Sequence, residues 1–388
     1  MENLKLNDEK ALIEIFKIIS WLDGKRWEKQ QIEKPDTFSE EILKADELQP
    51  TQKILAHWLI YITDRGKRAD VLWESNSPKV RKLIIEYFSR VLSKKEQVTE
   101  LCKRYEEGEN KIQSFPADLE SIRRTLILLL EYDKDIINFM TKRVSKWKIS
   151  YPENFCPRIA FSLYLLSYKD VGSFAKKNEL REHNKDKLNE SMEEAKKILN
   201  DDNKFEKEFQ EWYKGDKRWH KRIWAALRDY KKHKLLSEVF IEGIKVKVNQ
   251  DAWRENFTEQ LEVPGDIWNI RFFENCIKPF AENMNVRGKN ASRVVRNLWK
   301  KIKSKCPQSY PEQFDITVDF APRMCNKKFC DICPFGRNGA EFICIPNNDK
   351  CCPVALICCG YIVECIGNKG ECIIKEGIGK GMCKHELK

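Results

Sequence analysis

An all-α, multi-helical body ending in a cysteine-rich, loop-rich metal module is the fold class this sequence predicts. Two observations predict it. Apolar residues recur at helical spacing along the first part of the chain, with no internal repeat and no run of strands. Cysteine density then changes abruptly. Residues 1–324 hold four, at Cys102, Cys156, Cys276 and Cys306, whereas residues 325–388 hold eleven, in a tail where glycine and proline also gather.

The helices follow in order. Asn7 or Asp8 is placed to cap a first one, with Leu12, Ile13, Ile15, Phe16 and Ile19 at helical spacing. Pro50 fits the start of a second, with Ile54, Leu55, Trp58, Leu59 and Ile62 on its inner side. Further helices are expected over Val80–Leu92, Leu119–Tyr132 and Pro157–Tyr168. From Lys176 to Phe209 the chain is dominated by Lys, Glu, Asp and Asn, and its few apolar residues predict an exposed helix pair or a mobile linker. The expected division is an N-terminal helical domain at 1–175, this charged stretch at 176–210, a basic helical domain at 211–324 and the cysteine module at 325–388.

With 388 residues the chain is long enough for two or three domains and a real core. Charged residues make up 34 % and the hydrophobic set 41 %, as in water-soluble globular proteins. Lys and Arg number 71 against 60 Asp and Glu, a net charge of +11. That excess favours polyanions, either nucleic acid or an anionic membrane surface, although solubility alone also explains it. The longest apolar stretch, Pro353 to Val363, falls short of the ~20 residues that span a bilayer. The start, Met1-Glu2-Asn3-Leu4-Lys5, lacks the apolar core of a signal peptide. The expectation is a cytoplasmic protein with no membrane partner, in which thiols stay reduced and the 15 cysteines serve as ligands or buried thiols.

The strongest motif is Cys325-Asn-Lys-Lys-Phe-Cys330-Asp-Ile-Cys333-Pro334. Three thiolates within nine residues can converge on one small inorganic core, because the loops between them are short. A fourth ligand must come from further on: Cys344 is nearest, and Cys351 and Cys352 compete. Zinc more naturally uses two separated Cys-x2-Cys pairs, and only one is present, so an iron–sulfur cluster is preferred to zinc. Cys352, Cys359, Cys365, Cys372 and Cys383 could supply a second site or simply pack.

Two body segments are strongly basic. Lys217 to Lys234 carries eight cations, interleaved with Trp219, Trp224 and Tyr230, and Asp229 is its one acid. Cations neutralise phosphates and aromatics stack on bases; in the competing arrangement the aromatics face the core. In the second segment, Arg287 to Lys305, helical geometry puts Arg293, Arg296, Lys300 and Lys303 on one ridge and Val294, Leu298 and Ile302 on another face. Arg287 and Lys289 lie just before it, and Gly288, Asn290 and Ser292 near the helix start can offer backbone N–H groups to a phosphate. The competing arrangement is a solvated face on an ordinary surface helix.

These residues carry a resemblance. Asp319-Phe-Ala-Pro-Arg-Met-Cys325, followed by Cys330-Asp-Ile-Cys333-Pro334-Phe335, resembles the cluster loop of the helix-hairpin-helix DNA glycosylases of the endonuclease III and adenine glycosylase type. Upstream, Val263-Pro264-Gly265-Asp266-Ile267-Trp268-Asn269-Ile270-Arg271 resembles the stretch that carries that family's catalytic aspartate. The resemblance covers residues 263–344 and implies a 4Fe–4S cluster beside DNA, with Asp266 at the catalytic position. The ligand spacing differs from the family's, being four residues, two, then ten to Cys344, and no Leu-Pro-Gly-x-Gly hairpin precedes Asp266. On capping grounds alone, Asp266 is the N-cap of a helix over Ile267–Ile277.

Other chemistry is sparse. None of the five histidines forms a His-x3-His pair, and Gly377, Gly379 and Gly381 lack the strand–loop–helix setting of a phosphate cradle. Asp315 and Asp319 are four apart and could bind magnesium, with capping or solvation the commoner role. Three functions are consistent with the sequence. One is a DNA- or RNA-binding protein with a structural cluster, for which a structural zinc-binding protein is the alternative. The second is a base-excision enzyme using Asp266 beside Trp253, Trp268, Phe272 and Phe273. The third is a redox or electron-transfer protein in which the cluster itself works.

Overall fold

The computed structural model describes residues 45–63, 69–150, 155–171, 182–215, 220–232, 257–264 and 291–315, together with single positions between 9 and 42 and at 235. The described residues are mostly helical with no strand among them, as the apolar periodicity predicts. Contacts group the chain into two compact units: Pro35–Gln260, and Met1–Lys34 with Leu261–Lys388.

The larger unit is built around two helices. In α1 (Pro50–Thr63) every residue from Ile54 onward is buried, and in α6 (Phe155–Ser167) every residue is. A helix that is buried on all sides needs neighbours on all sides. For α1 these are α2 (Ala69–Glu86), α4 (Pro116–Tyr132), α5 (Ile136–Ser150) and α9 (His220–Lys232). For α6 they are α4, α5, α9 and the pair α7 (Glu182–Asn200) and α8 (Asp202–Lys214). A π-helical turn, Tyr87–Val91, and α3 (Val98–Glu106) complete the described part of this unit up to α4.

The expected Val80–Leu92 helix is thus the end of α2 and the π turn, and the Leu119–Tyr132 helix starts three residues earlier, at Pro116. Pro116 sits where its missing N–H costs nothing.

Polar side chains tie the inner helices together. Trp58 Nε1 donates to Ser167 Oγ at 2.9 Å, and Thr125 Oγ1 donates to the same oxygen at 3.0 Å, so one hydroxyl joins α1, α4 and α6. The fully buried Arg124 guanidinium donates to the carbonyls of Leu165, Lys169 and Ser191. It thereby satisfies acceptors at the C-terminal end of α6 while holding α7 in place. Burial lowers this guanidinium to about 10.

The charged stretch for which exposed helices or a linker are expected forms the helices α7 and α8. Asp201 caps α8 by accepting from the backbone N–H groups of Asn203 and Lys204 at 2.9 and 3.1 Å. Their inner sides are not exposed. Leu188, Ala195, Ile198 and Leu199 of α7 and Phe205, Phe209 and Trp212 of α8 are buried. Phe161 of α6 meets Phe205, Phe209 and Trp212 at centroid distances of 5.0, 5.9 and 5.4 Å. Three aromatics bury enough area to dock a helix whose remaining residues are polar. The boundaries expected near 175 and 210 therefore fall inside one unit.

In the second unit the described positions between 9 and 23 are helical, and Leu12, Ile15, Phe16 and Ile19 are buried. They pack with the segment that follows α10 (Ala291–Ile302), which holds two short 3-10 helices, Lys303–Lys305 and Pro311–Asp315. Phe16 stands edge-on to Phe314 at 4.7 Å, and Ser20 Oγ donates to the Gln308 carbonyl at 3.0 Å. No helix among the described residues is long and apolar enough to cross a membrane.

Candidate nucleic-acid interface

Helix α10 is amphipathic, and its burial pattern defines two faces. Val294, Val295, Leu298, Trp299 and Ile302 are buried, while Asn297, Lys300 and Lys301 are exposed and Arg293 is half-exposed. Beyond the helix, Lys303 and Lys305 are exposed on the 3-10 turn.

Several bonds fix this surface. Ser292 Oγ donates to the Val263 carbonyl at 2.8 Å and anchors the start of the helix. Trp299 Nε1 donates to the Ser309 carbonyl at 2.6 Å, and its indole lies 6.1 Å from the Tyr310 ring. The Lys303 ammonium sits 5.8 Å from the indole centroid, over its face. Lys305 pairs with Glu9 on the N-terminal helix. Cations at a helix C-terminus also complement its macrodipole, which is a local reason for lysines here.

The expected ridge of Arg293, Arg296, Lys300 and Lys303 is corrected at one position. Arg296 faces inward, 6 % exposed, with Nη1 3.1 Å from Glu262 Oε1. It is not available to phosphate. The outer face runs instead through Arg293, Asn297, Lys300 and Lys301, because helical spacing of four and three brings these together. Arg287 and Lys289, also expected here, lie outside the described residues, as do Gly288 and Asn290.

The other basic segment is α9, and it is turned inward. Trp224 and Tyr230 are buried, so these two rings do not stack on bases. Arg222 donates to the Ile62 carbonyl at 2.6 Å and lies 3.7 Å from the fully buried Asp118. Arg228 chelates Asp229 Oδ1 with Nε and Nη2, at 2.9 and 2.8 Å. The other oxygen of Asp229 accepts from Tyr61 Oη at 2.5 Å and lies 3.6 Å from His57 Nε2. The lone acid of this cationic segment is therefore an internal hub joining α9 to α1. That it is lone is the sequence signal for the role. Of α9's cations Lys221 is exposed and Lys231 half-exposed. Trp219, Lys217, Arg218 and Lys234 lie outside the described residues.

Asp266 and the cysteines of the metal module, Cys325, Cys330, Cys333, Cys344, Cys351 and Cys352, lie outside the described residues. So do Trp253, Trp268, Phe272, Phe273 and Asp319. Among the described residues no group of three or more His, Cys, Asp or Glu side chains is placed to hold a metal ion. Cys102, Cys156 and Cys306 are buried. Burial raises the Cys102 thiol to about 12, with the Glu106 carboxylate adding to the effect. Cys156 Sγ donates to the Phe257 carbonyl at 3.2 Å, and its backbone N–H donates to Gln260 Oε1 at 3.0 Å. These are core thiols, as expected for isolated cysteines.

Sequence reasoning missed Glu262 and Lys301. Glu262 stands 34 residues from its partner in a stretch without regular secondary structure, so no local periodicity points to it. Lys301 falls off the expected ridge and reaches the surface because the ridge itself is rotated toward Asn297. Compared with known protein families, curated proteins and solved structures, the chain matches none of them.

Proposed function

We propose that this is an iron–sulfur protein that binds nucleic acid through the lysine-rich end of α10. The observation that carries the reading is the exposed set Lys300, Lys301 and Lys303, held on a base of buried Leu298, Trp299 and Ile302. Ammonium groups presented at one end of an ordered element displace counterions from a polyanion with little ordering cost. The net charge of +11 supports the same partner. The resemblance of residues 263–344 to glycosylase cluster loops supports DNA as the polyanion. For the cluster, the donor set fits: Cys325, Cys330 and Cys333, with Cys344, Cys351 or Cys352, are soft thiolates at short spacing. Bound there, the cluster would supply structural cross-linking of the tail twenty residues beyond Lys305.

The test is duplex binding by fluorescence anisotropy as salt is varied. Charge reversal of Lys300, Lys301 and Lys303 to Glu should weaken binding far more than reversal of Lys187, Lys197 and Lys207, which are exposed on α7 and α8. Equal effects would reduce the reading to bulk charge. Absence of binding at low salt would remove it.

A further inference from the structure

We infer that the α10 surface grips the phosphate backbone of a double-stranded nucleic acid without reading its bases. The inference rests on the nucleic-acid reading above and concerns how that surface recognises its partner. The first support is which cations face outward. Among the described residues the exposed ones are lysines, at 300, 301, 303 and, paired with Glu9, 305, with Arg293 half-exposed at the far end. The one central guanidinium, Arg296, is held inward against Glu262 at 3.1 Å. A guanidinium fork fixes its partner in plane and suits base edges, whereas an ammonium on a flexible stem is a point charge that serves phosphates of any sequence.

The second support is the aromatic. Trp299 is the only aromatic side chain in α10, and it is 2 % exposed with its N–H bonded to Ser309. Single strands are held largely by stacking on presented rings, and α10 presents none. A duplex needs no stacking partner and offers two rows of phosphates at high charge density. Among the described residues of the outer face, Asn297 is the exposed amide able to address a base edge, with the half-exposed Arg293 one turn before it. It lies between Arg293 and the paired lysines, so it provides the internal control.

The experiment uses the full-length protein with A·T-rich and G·C-rich duplexes and single strands of equal length. The variants are Lys300→Gln, Lys301→Gln and Lys303→Gln combined, and Asn297→Ala alone. All four side chains are exposed, and the helical circular dichroism and Tm of each variant check that folding is retained. The triple variant should weaken every duplex by the same factor, about 10- to 100-fold at low salt, and flatten the logarithmic salt slope by about 2 to 3. Asn297→Ala should leave affinities for the two duplex compositions unchanged relative to each other. The inference is overturned if the triple variant's loss depends on sequence by ~10-fold or more, on the scale of one base contact. It is also overturned if Asn297→Ala erases a sequence preference, if the triple change leaves duplex affinity intact, or if that change weakens single strands more than duplexes. No binding of any nucleic acid would instead sink the underlying reading, whatever the variants do, and binding only to vesicles of anionic lipid would do the same.

Discussion

Arg296 and Glu262 face each other at 3.1 Å with side chains each 7 % exposed, so a cation that helical spacing places on the outer ridge is an internal strut. The pair ties α10 to the irregular stretch 261–264, which Ser292 also grips at the Val263 carbonyl. Removing one partner leaves a buried charge uncompensated. Glu262→Ala should cost about 3–5 kcal/mol, and replacing both residues by apolar ones of similar size should cost much less or nothing. Urea unfolding followed by hydrogen exchange of the α10 amides checks this. Equal losses in the single and double variants would mean that packing, not charge, holds the contact.

The N-terminal helix should be needed for the stability of α10. Phe16 is fully buried and stacks edge-on against Phe314, while Ser20 and Glu9 bond to Gln308 and Lys305. Phe16→Ala should destabilise this unit by about 3–5 kcal/mol. Loss of exchange protection at 298–302 and 311–315 is the readout. Unchanged protection would show that the C-terminal segment stands without it.

Alkaline pH should destabilise the larger unit, beginning with Cys102. Burial raises its thiol from 9.0 to about 12, and burial raises the Tyr164 phenol to about 12. Burial also raises the phenols of Tyr87, Tyr105 and Tyr230. The folded state holds these protons longer than the unfolded state, so their contribution is complete below pH ~9 and is lost as pH rises through the folded values. Arg124 and Arg143 act in the opposite sense. Burial lowers both to about 10, so the unfolded state binds the extra proton and stability is regained above that pH. Between pH 9 and 10 the thiol dominates. The Tm of Cys102→Ala should fall less steeply across this interval than that of the parent, and identical slopes would assign the loss elsewhere.

Anaerobically purified protein should be brown, with broad absorption near ~400 nm from thiolate-bound iron. Alanine at Cys325, Cys330 or Cys333 should remove the iron, whereas alanine at the core thiols Cys102 or Cys156 should not. Stoichiometric zinc without iron or sulfide would exclude the cluster and leave a structural zinc module.

Asp266 separates an enzyme from a binder. Asp266→Asn should fold nearly normally and keep its duplex affinity, since Asn caps a helix about as well as Asp. If the parent releases bases from damaged or mismatched duplexes and Asp266→Asn does not, the carboxylate is catalytic and supplies charge that the amide cannot. The capping outcome is the one expected, because no Leu-Pro-Gly-x-Gly hairpin precedes the aspartate.

The local sequence was enough to determine most of the described helices. Ile54, Leu55, Trp58, Leu59 and Ile62 recur at helical spacing after Pro50, and the helix Pro50–Thr63 buries all five. Apolar period, caps and proline act within a turn or two, so they can be read without knowing the fold. The stretch from 182 to 214 shows where that stops. Its charged residues outnumber its apolar ones, and only the meeting of Phe205, Phe209 and Trp212 with Phe161, over forty residues away, turns it into a docked pair.

The candidate interface divides in the same way. That α10 is amphipathic and basic was legible, as was the cluster motif that follows it. Which cations face the partner was not. Arg222, Arg228 and Arg296 look like surface charge in sequence, yet each is buried. Asp118 beside Arg222 and Glu262 beside Arg296 come from distant parts of the chain, and Asp229 is drawn inward by Tyr61. Periodicity reports which residues share a face of one helix. Whether that face is covered, and whether a buried charge finds its counter-charge there, depends on what the rest of the chain brings against it, because a cation leaves water only where a partner offsets its lost hydration.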